Sequence, residues 1–165
     1  TVLALDCASW GSVFSKSIGM SEYAKKSLLT IEKLYGSAFI AGKMPPVYGY
    51  KPYAIKEIYE ETSVAISDFY FPSLKTKTWD QIDGVWVEGS LGTALAYLKS
   101  GNSVKAEDIL VNILPLQKKN GGFIYFTREI PHEFSTYTSV ASSAWFVMIA
   151  TALEDPAIAS SFWGE

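Results

Sequence analysis

An all-α chain of packed helical hairpins is what this sequence predicts, and three observations carry that expectation. Apolar residues recur at helical spacing in five stretches, glycines and prolines stop each stretch, and one two-helix pattern occurs twice at a fixed offset. The 165 residues suit a single domain, and a 48% hydrophobic content is enough for a core that needs no disulfide or metal staple.

The first helix is expected over 2–18, apolar almost all round, with Ala4, Ala8, Ser9 and Gly11 spaced for close helix approach. That burial predicts Cys7 to be an inert small hydrophobe and Trp10 to be core. Gly19 stops the helix and Ser21 is read as the cap of a second, over 21–35. There Tyr23, Ala24, Leu28, Ile31 and Leu34 share one face while Glu22, Lys25, Lys26, Glu32 and Lys33 take the other. A long irregular segment, 37–84, follows, broken by Gly42, Pro45, Pro46, Gly49 and Pro52, with an acidic patch at Glu57, Glu60 and Glu61.

The pattern then returns. Residues 85–100 are apolar and rich in small side chains, Gly101 stops them, Ser103 is read as a cap, and 103–118 is amphipathic, with Pro115 kinking its end. An offset of 82 positions superposes Asp6 on Glu88, Gly19 on Gly101, Ser21 on Ser103, Ala24 on Ala106, Leu28 on Leu110 and Ile31 on Ile113. A second loop, 119–135, turns at Gly121-Gly122, and 136–153 is a third small-and-apolar helix carrying Trp145, ended at Asp155-Pro156. Stacked hairpins of this kind hide their apolar faces only against neighbours. The expected architecture is therefore a partial α/α toroid with helices 2–18, 85–100 and 136–153 inside and the amphipathic ones outside. A generic helical bundle is the alternative. Open ends should expose apolar patches, to be covered by self-association or by a missing N-terminal part of the toroid.

Composition narrows the partners. Net charge −3, with no basic run longer than a pair, argues against nucleic acid. One Cys precludes an internal disulfide, one His argues against a histidine-based zinc site or triad, and no metal or cofactor is expected. No apolar run approaches the roughly 18 residues of a membrane span. The chain lacks an initiator Met and opens directly in a helical pattern, so a piece of a longer protein is expected. Dinucleotide, Walker and Gly-x-Ser-x-Gly motifs are missing, and Gly89-Ser90-Leu91-Gly92 is read as helix packing.

Chemistry is expected where the long loops enter the inner helices, at helix N-termini with a partial positive charge. The loops bring Tyr48, Tyr50, Tyr53, Tyr59, Tyr70, Trp79, Tyr125 and Phe134 to that rim, and the helices add Trp86 and Tyr137. Aromatic faces beside carboxylates suit a sugar, whose ring has an apolar CH face and a polar edge. Asp6 and Glu88, equivalent in the repeat, are the candidate acids. Two carboxylates facing one cavity can split their pKa values, and a separation of roughly 6.5–9.5 Å suits inversion. First-turn acids also serve the helix dipole. Asp80, Asp83, Glu129 and Glu133 are rim alternatives, and His132 is read as a surface histidine.

The stretches Leu5-Asp6-Cys7-Ala8-Ser9-Trp10-Gly11 and Trp86-Val87-Glu88-Gly89-Ser90-Leu91-Gly92 resemble the C-terminal part of bacterial α/α-toroid proteins of glycoside-hydrolase type. Gln117 to Gly122-Phe123-Ile124-Tyr125, Val140-Ala141-Ser142-Ser143-Ala144-Trp145 and Phe162-Trp163 fit the same pattern. The resemblance implies a carbohydrate-active protein, a glycoside hydrolase of an oligo- or polysaccharide. Glu88 would then be its acid, Asp6 its base, and Tyr48, Tyr50, Trp86, Tyr125 and Tyr137 its sugar platforms. A non-catalytic toroid fragment or sugar-binding module is the alternative. Gln117 with Gly122-Phe123 also resembles isoprenoid cyclase repeats, but the Asp-rich and zinc motifs of that class are absent.

Overall fold

In the computed structural model the described residues are 3–40, 45–54, 82–130 and 133–161. The acidic patch at Glu57, Glu60 and Glu61, the aromatics Tyr59, Tyr70 and Trp79, together with Asp80, His132, Phe162 and Trp163, lie outside them.

The architecture is mixed and not all-α. About 59% of the structure is helical and 17% strand, with three small antiparallel sheets, which corrects the expected α/α-toroid class. In chain order the elements are β1 (Leu3–Ala4), α1 (Leu5–Ser17), α2 (Ser21–Leu34), β2 (Gly36–Phe39), β3 (Val47–Tyr50) and β4 (Tyr53–Ala54). Then come α3 (Val87–Lys99), α4 (Ser103–Ile113), β5 (Phe123–Ile124), β6 (Thr138–Ser139), α5 (Val140–Glu154) and α6 (Pro156–Ser161). Pro115 sits in a 3-10 turn, Leu114–Leu116, that ends α4.

Backbone satisfaction explains the strands. A loop returning to the start of a helix still has buried N–H and C=O groups to pair. Here β1 pairs with β4, β2 with β3 and β5 with β6, while Trp86 bridges Phe126. The Leu5 N–H donates to Pro52 O at 2.8 Å and the Val87 N–H to Tyr125 O at 3.1 Å. Segments of two to four residues are too short to print an alternating pattern on the sequence.

The repeated turns use the two glycines as expected: Gly19 and Gly101 have φ of +79° and +83°, a region costly for residues with a Cβ. The caps differ. Met20 precedes α2 with no side-chain cap, and Asn102, not Ser103, caps α4 by accepting from the Lys105 N–H.

Helix α3 is the centre. Between Val87 and Tyr97 every residue is buried except Glu88 and Gly92. It packs on α1, α4, α5 and β3. Helix α4 buries one face through Ala106, Ile109, Leu110 and Ile113, as an amphipathic helix must. Burying Leu91 and Leu95 fully contributes about 1.5–3 kcal/mol each. The flanking helices differ from expectation. On α1 and at its C-cap, Trp10, Phe14 and Ile18 are 40%, 65% and 52% exposed, and on α5 Val140 and Val147 are exposed as well. Cys7 is exposed too, so the all-round burial read for the first helix, and the inert thiol with it, are corrected. Helix α3 is covered by α1, α4, α5 and β3 together, whereas α1, packed on α2 and α3, leaves this stripe uncovered. Trp10 and Trp145 meet edge to face, with ring centroids 5.4 Å apart.

Close approach at the head of α3 depends on Gly89. A Cβ there would lie 2.2 Å from Trp86 Cε3 and 2.9 Å from Leu5 Cδ2. Gly89→Ala is therefore expected to lower stability by about 1–3 kcal/mol through overpacking, read as a lower thermal midpoint, whereas Gly92→Ala, whose Cβ would meet only Ser9 Oγ at 3.9 Å, should change it little.

Candidate functional site

The contact over Gly89 brings two first turns together. Leu5 is followed by Asp6 on α1 and Gly89 is preceded by Glu88 on α3, so both acids sit second in their helices. Each is accompanied by a tyrosine from the segment that hydrogen-bonds to its helix start. Ala4 pairs with Tyr53 across β1 and β4, and the Tyr125 carbonyl receives the Val87 N–H. At the matching place on α5 stands Ala141, which adds no charge.

The rings form a connected wall. Trp86 and Tyr125 meet edge-on at 6.4 Å, Tyr125 stacks on Phe134 at 5.4 Å, and Trp86 and Tyr53 each meet Phe134 edge-on at 6.1 and 6.2 Å. A hollow of about 240 Å³ lies against this wall, lined by Tyr125, Glu129, Ile130, Glu133, Phe134 and Ser135.

The electrostatics tie the group together. Burial raises the Asp6 carboxyl above its ordinary value. Burial, and then the charge of Asp6, raises Glu88. Burial holds the proton on Tyr53, helped by the charges of Glu133 and Asp6. Tyr125 is likewise raised by burial and then by Glu88, Tyr53 and Asp6, with the Trp86 indole N–H acting the other way. That indole nitrogen is buried beside the Tyr125 oxygen and completes no well-formed hydrogen bond among the described residues.

Glu88, Asp6, Trp86 and Tyr125 are thus neighbours. Tyr48, Tyr50 and Tyr137 are not part of that wall. Tyr48 is exposed on β3 and lines a separate groove of about 420 Å³. The Tyr50 hydroxyl turns away to donate to Glu32 Oε1, which also receives the Tyr97 hydroxyl at 2.7 Å, while Lys105 Nζ lies 3.5 Å from Glu32 Oε2. Burial opposes ionisation of Glu32, but those donors outweigh it and hold the carboxyl below its ordinary value. Tyr137 is 76% exposed and contributes only its carbonyl, to the Tyr125 N–H.

Of the rim alternatives, Glu133 belongs to the cluster through its action on Tyr53, Glu129 Oε2 accepts from the Thr136 N–H at 3.1 Å, and Asp83 is exposed. Glu133 and Phe134, adjacent in sequence and each expected at the rim, both act on Tyr53, a grouping that the spacing alone does not reveal. Among the described residues no group of three or more His, Cys, Asp or Glu could hold a metal ion. No described helix is long and apolar enough to cross a membrane.

The raised carboxyls have a stability consequence with a definite sign. The folded chain keeps protons on Asp6 and Glu88 where the unfolded chain has lost them, so stability declines as pH rises above their ordinary values of 3.8 and 4.5. Asp6→Asn and Glu88→Gln are each expected to flatten that decline and to leave the thermal midpoint at neutral pH equal or higher. A pH series of melting curves measures this. A comparison of the chain with protein families, curated proteins and solved structures returns no match.

Proposed function

We propose that this protein is a carbohydrate-active hydrolase whose acid pair is Asp6 and Glu88. The observation that carries it is the convergence of two raised carboxyls, on the first turns of adjacent helices, beside the wall of Trp86, Tyr125, Phe134 and Tyr53. Glycoside hydrolysis needs one carboxyl protonated and one ionised. Glu88 is raised by burial and by the charge of Asp6, which suits it to hold the proton and give it to the leaving oxygen. Asp6 is the more exposed, is raised by burial alone, and is the partner suited to stay ionised and activate water. The half-buried rings of Tyr53 and Tyr125, backed by the buried Trp86 and Phe134, would take the CH face of the sugar, and their hydroxyls its polar edge.

Glu88→Gln keeps the shape and removes the transferable proton. On whichever glycan of an oligosaccharide panel the parent cleaves, turnover is expected to fall by about 10²–10⁴-fold with no loss of thermal stability. A Glu88→Gln protein with parental turnover would overturn the assignment. A parent that binds a glycan without cleaving it would make the site a binding one.

A further inference from the structure

We propose that the groove between the β2–β3 hairpin and α4 is a second binding site, one that takes a neutral sugar ring. Neither Asp6 nor Glu88 lines it, and it does not rest on the role given to that pair. The register of the hairpin makes the groove. Directly opposed residues of an antiparallel ladder share a face, and Tyr48 and Tyr50 on β3 stand opposite Ala38 and Gly36 on β2. Two large side chains therefore face two that fill almost nothing, and α4 packs on β3 without closing the space. The hollow that results is about 420 Å³, within the roughly 300–1,000 Å³ of small-molecule sites.

The polar groups that line it are held in place and keep bonding capacity in reserve. Tyr50 turns its hydroxyl to Glu32, and Glu32 in turn holds Lys105 Nζ 3.5 Å from its Oε2, so an ammonium is fixed beside the groove. The Asn112 side-chain amide donates one N–H to Asp108 O at 2.8 Å, which leaves its second N–H and its carbonyl oxygen for a ligand. One helical turn earlier, the exposed Asp108 carboxylate accepts no hydrogen bond from any described residue. Tyr48, 55% exposed, offers a ring face. Charge then selects the ligand class. Glu32 and Lys105 offset each other, and Asp108 stands three positions from that ammonium on one face of α4. An anion would meet two carboxylates, and a cation would meet Lys105. Hydroxyl groups both donate and accept, so one ring hydroxyl can donate to Asp108 while its neighbour accepts from Asn112 or Lys105. The apolar CH face of the same ring covers Tyr48.

Nuclear magnetic resonance titration of the ¹⁵N-labelled whole chain tests this, with neutral tetramers of glucose, xylose and N-acetylglucosamine as probes and spermidine as the cationic control. At least one tetramer is expected to shift the backbone amides of Gly36 and Gly49 and the side-chain amide of Asn112, saturably and together. Tyr48→Ala should weaken that binding by about tenfold, and Asp108→Asn, which serves if Tyr48→Ala is unfolded, by a similar factor. Glu88→Gln and Tyr137→Ala, the latter at another exposed tyrosine, should leave the midpoint unchanged. A parental midpoint in folded Tyr48→Ala or in Asp108→Asn would overturn the site, and so would spermidine moving the same amides as tightly as the best tetramer. Shifts confined to Gly89 and its neighbours would overturn the groove while leaving the hydrolase reading standing. No shift from any tetramer would overturn the groove as well, and turnover by the parent and Glu88→Gln would still decide the acid pair separately.

Discussion

The missing side chain at Gly89 is the constraint on which the remainder of the site depends. Because nothing projects there, Trp86 folds back over the helix and Leu5 reaches in from α1, with atoms where a Cβ would otherwise stand. Interiors are packed as densely as organic crystals, so such a contact fixes distances to a fraction of an ångström. It sets the first turn of α1 against the first turn of α3, and the residues on either side of the contact are the two acids. The same placement turns Trp86 toward Tyr125 and Phe134, and so builds the wall from one glycine outward.

A second set of contacts keeps the other side of the molecule in register. Glu32 on α2 collects the hydroxyls of Tyr50 on β3 and Tyr97 on α3, with Lys105 of α4 beside it, so one carboxylate joins four elements. Its donors keep it ionised, in contrast to Asp6 and Glu88, which burial pushes toward the neutral form. Donors surround Glu32, whereas Asp6 and Glu88 have no hydrogen-bond donor beside them among the described residues. A carboxylate already satisfied by its own fold is a fastener. One left without partners has its hydrogen-bonding capacity still to spend, and that difference is why the proposed hydrolysis rests on the pair and not on Glu32.

The exposed stripe of Trp10, Phe14 and Ile18 on α1, with Val140 and Val147 on α5, follows from the order of the elements. Helix α3 is covered because α1, α4, α5 and β3 all pack on it, whereas α1, packed on α2 and α3, and α5, packed on α3, α4 and α6, each keep an uncovered face. All three helices read as equally apolar, since a sequence states what each surface wants and not what will be there to meet it. Cys7 shows the consequence: a small apolar neighbour set along the chain, and an exposed thiol in the fold.

What the sequence by itself determined is local and periodic. The five long helices, the left-handed turns at Gly19 and Gly101, and the equivalence of Asp6 with Glu88 all follow from spacing within one stretch or from one offset between two. The tertiary structure decided what depends on partners far along the chain. Strands of two to four residues leave no period to detect, yet they pair because loop backbone beside a helix start must satisfy its polar groups, and so the class is mixed where helical patterning alone predicted helices. Tyr50 and Tyr125 were alike as loop tyrosines; one hydroxyl went to Glu32, 18 positions away, and the other ring went to Trp86 and Phe134. Side-chain destination is a property of packing, and packing is settled only when every element has taken its place.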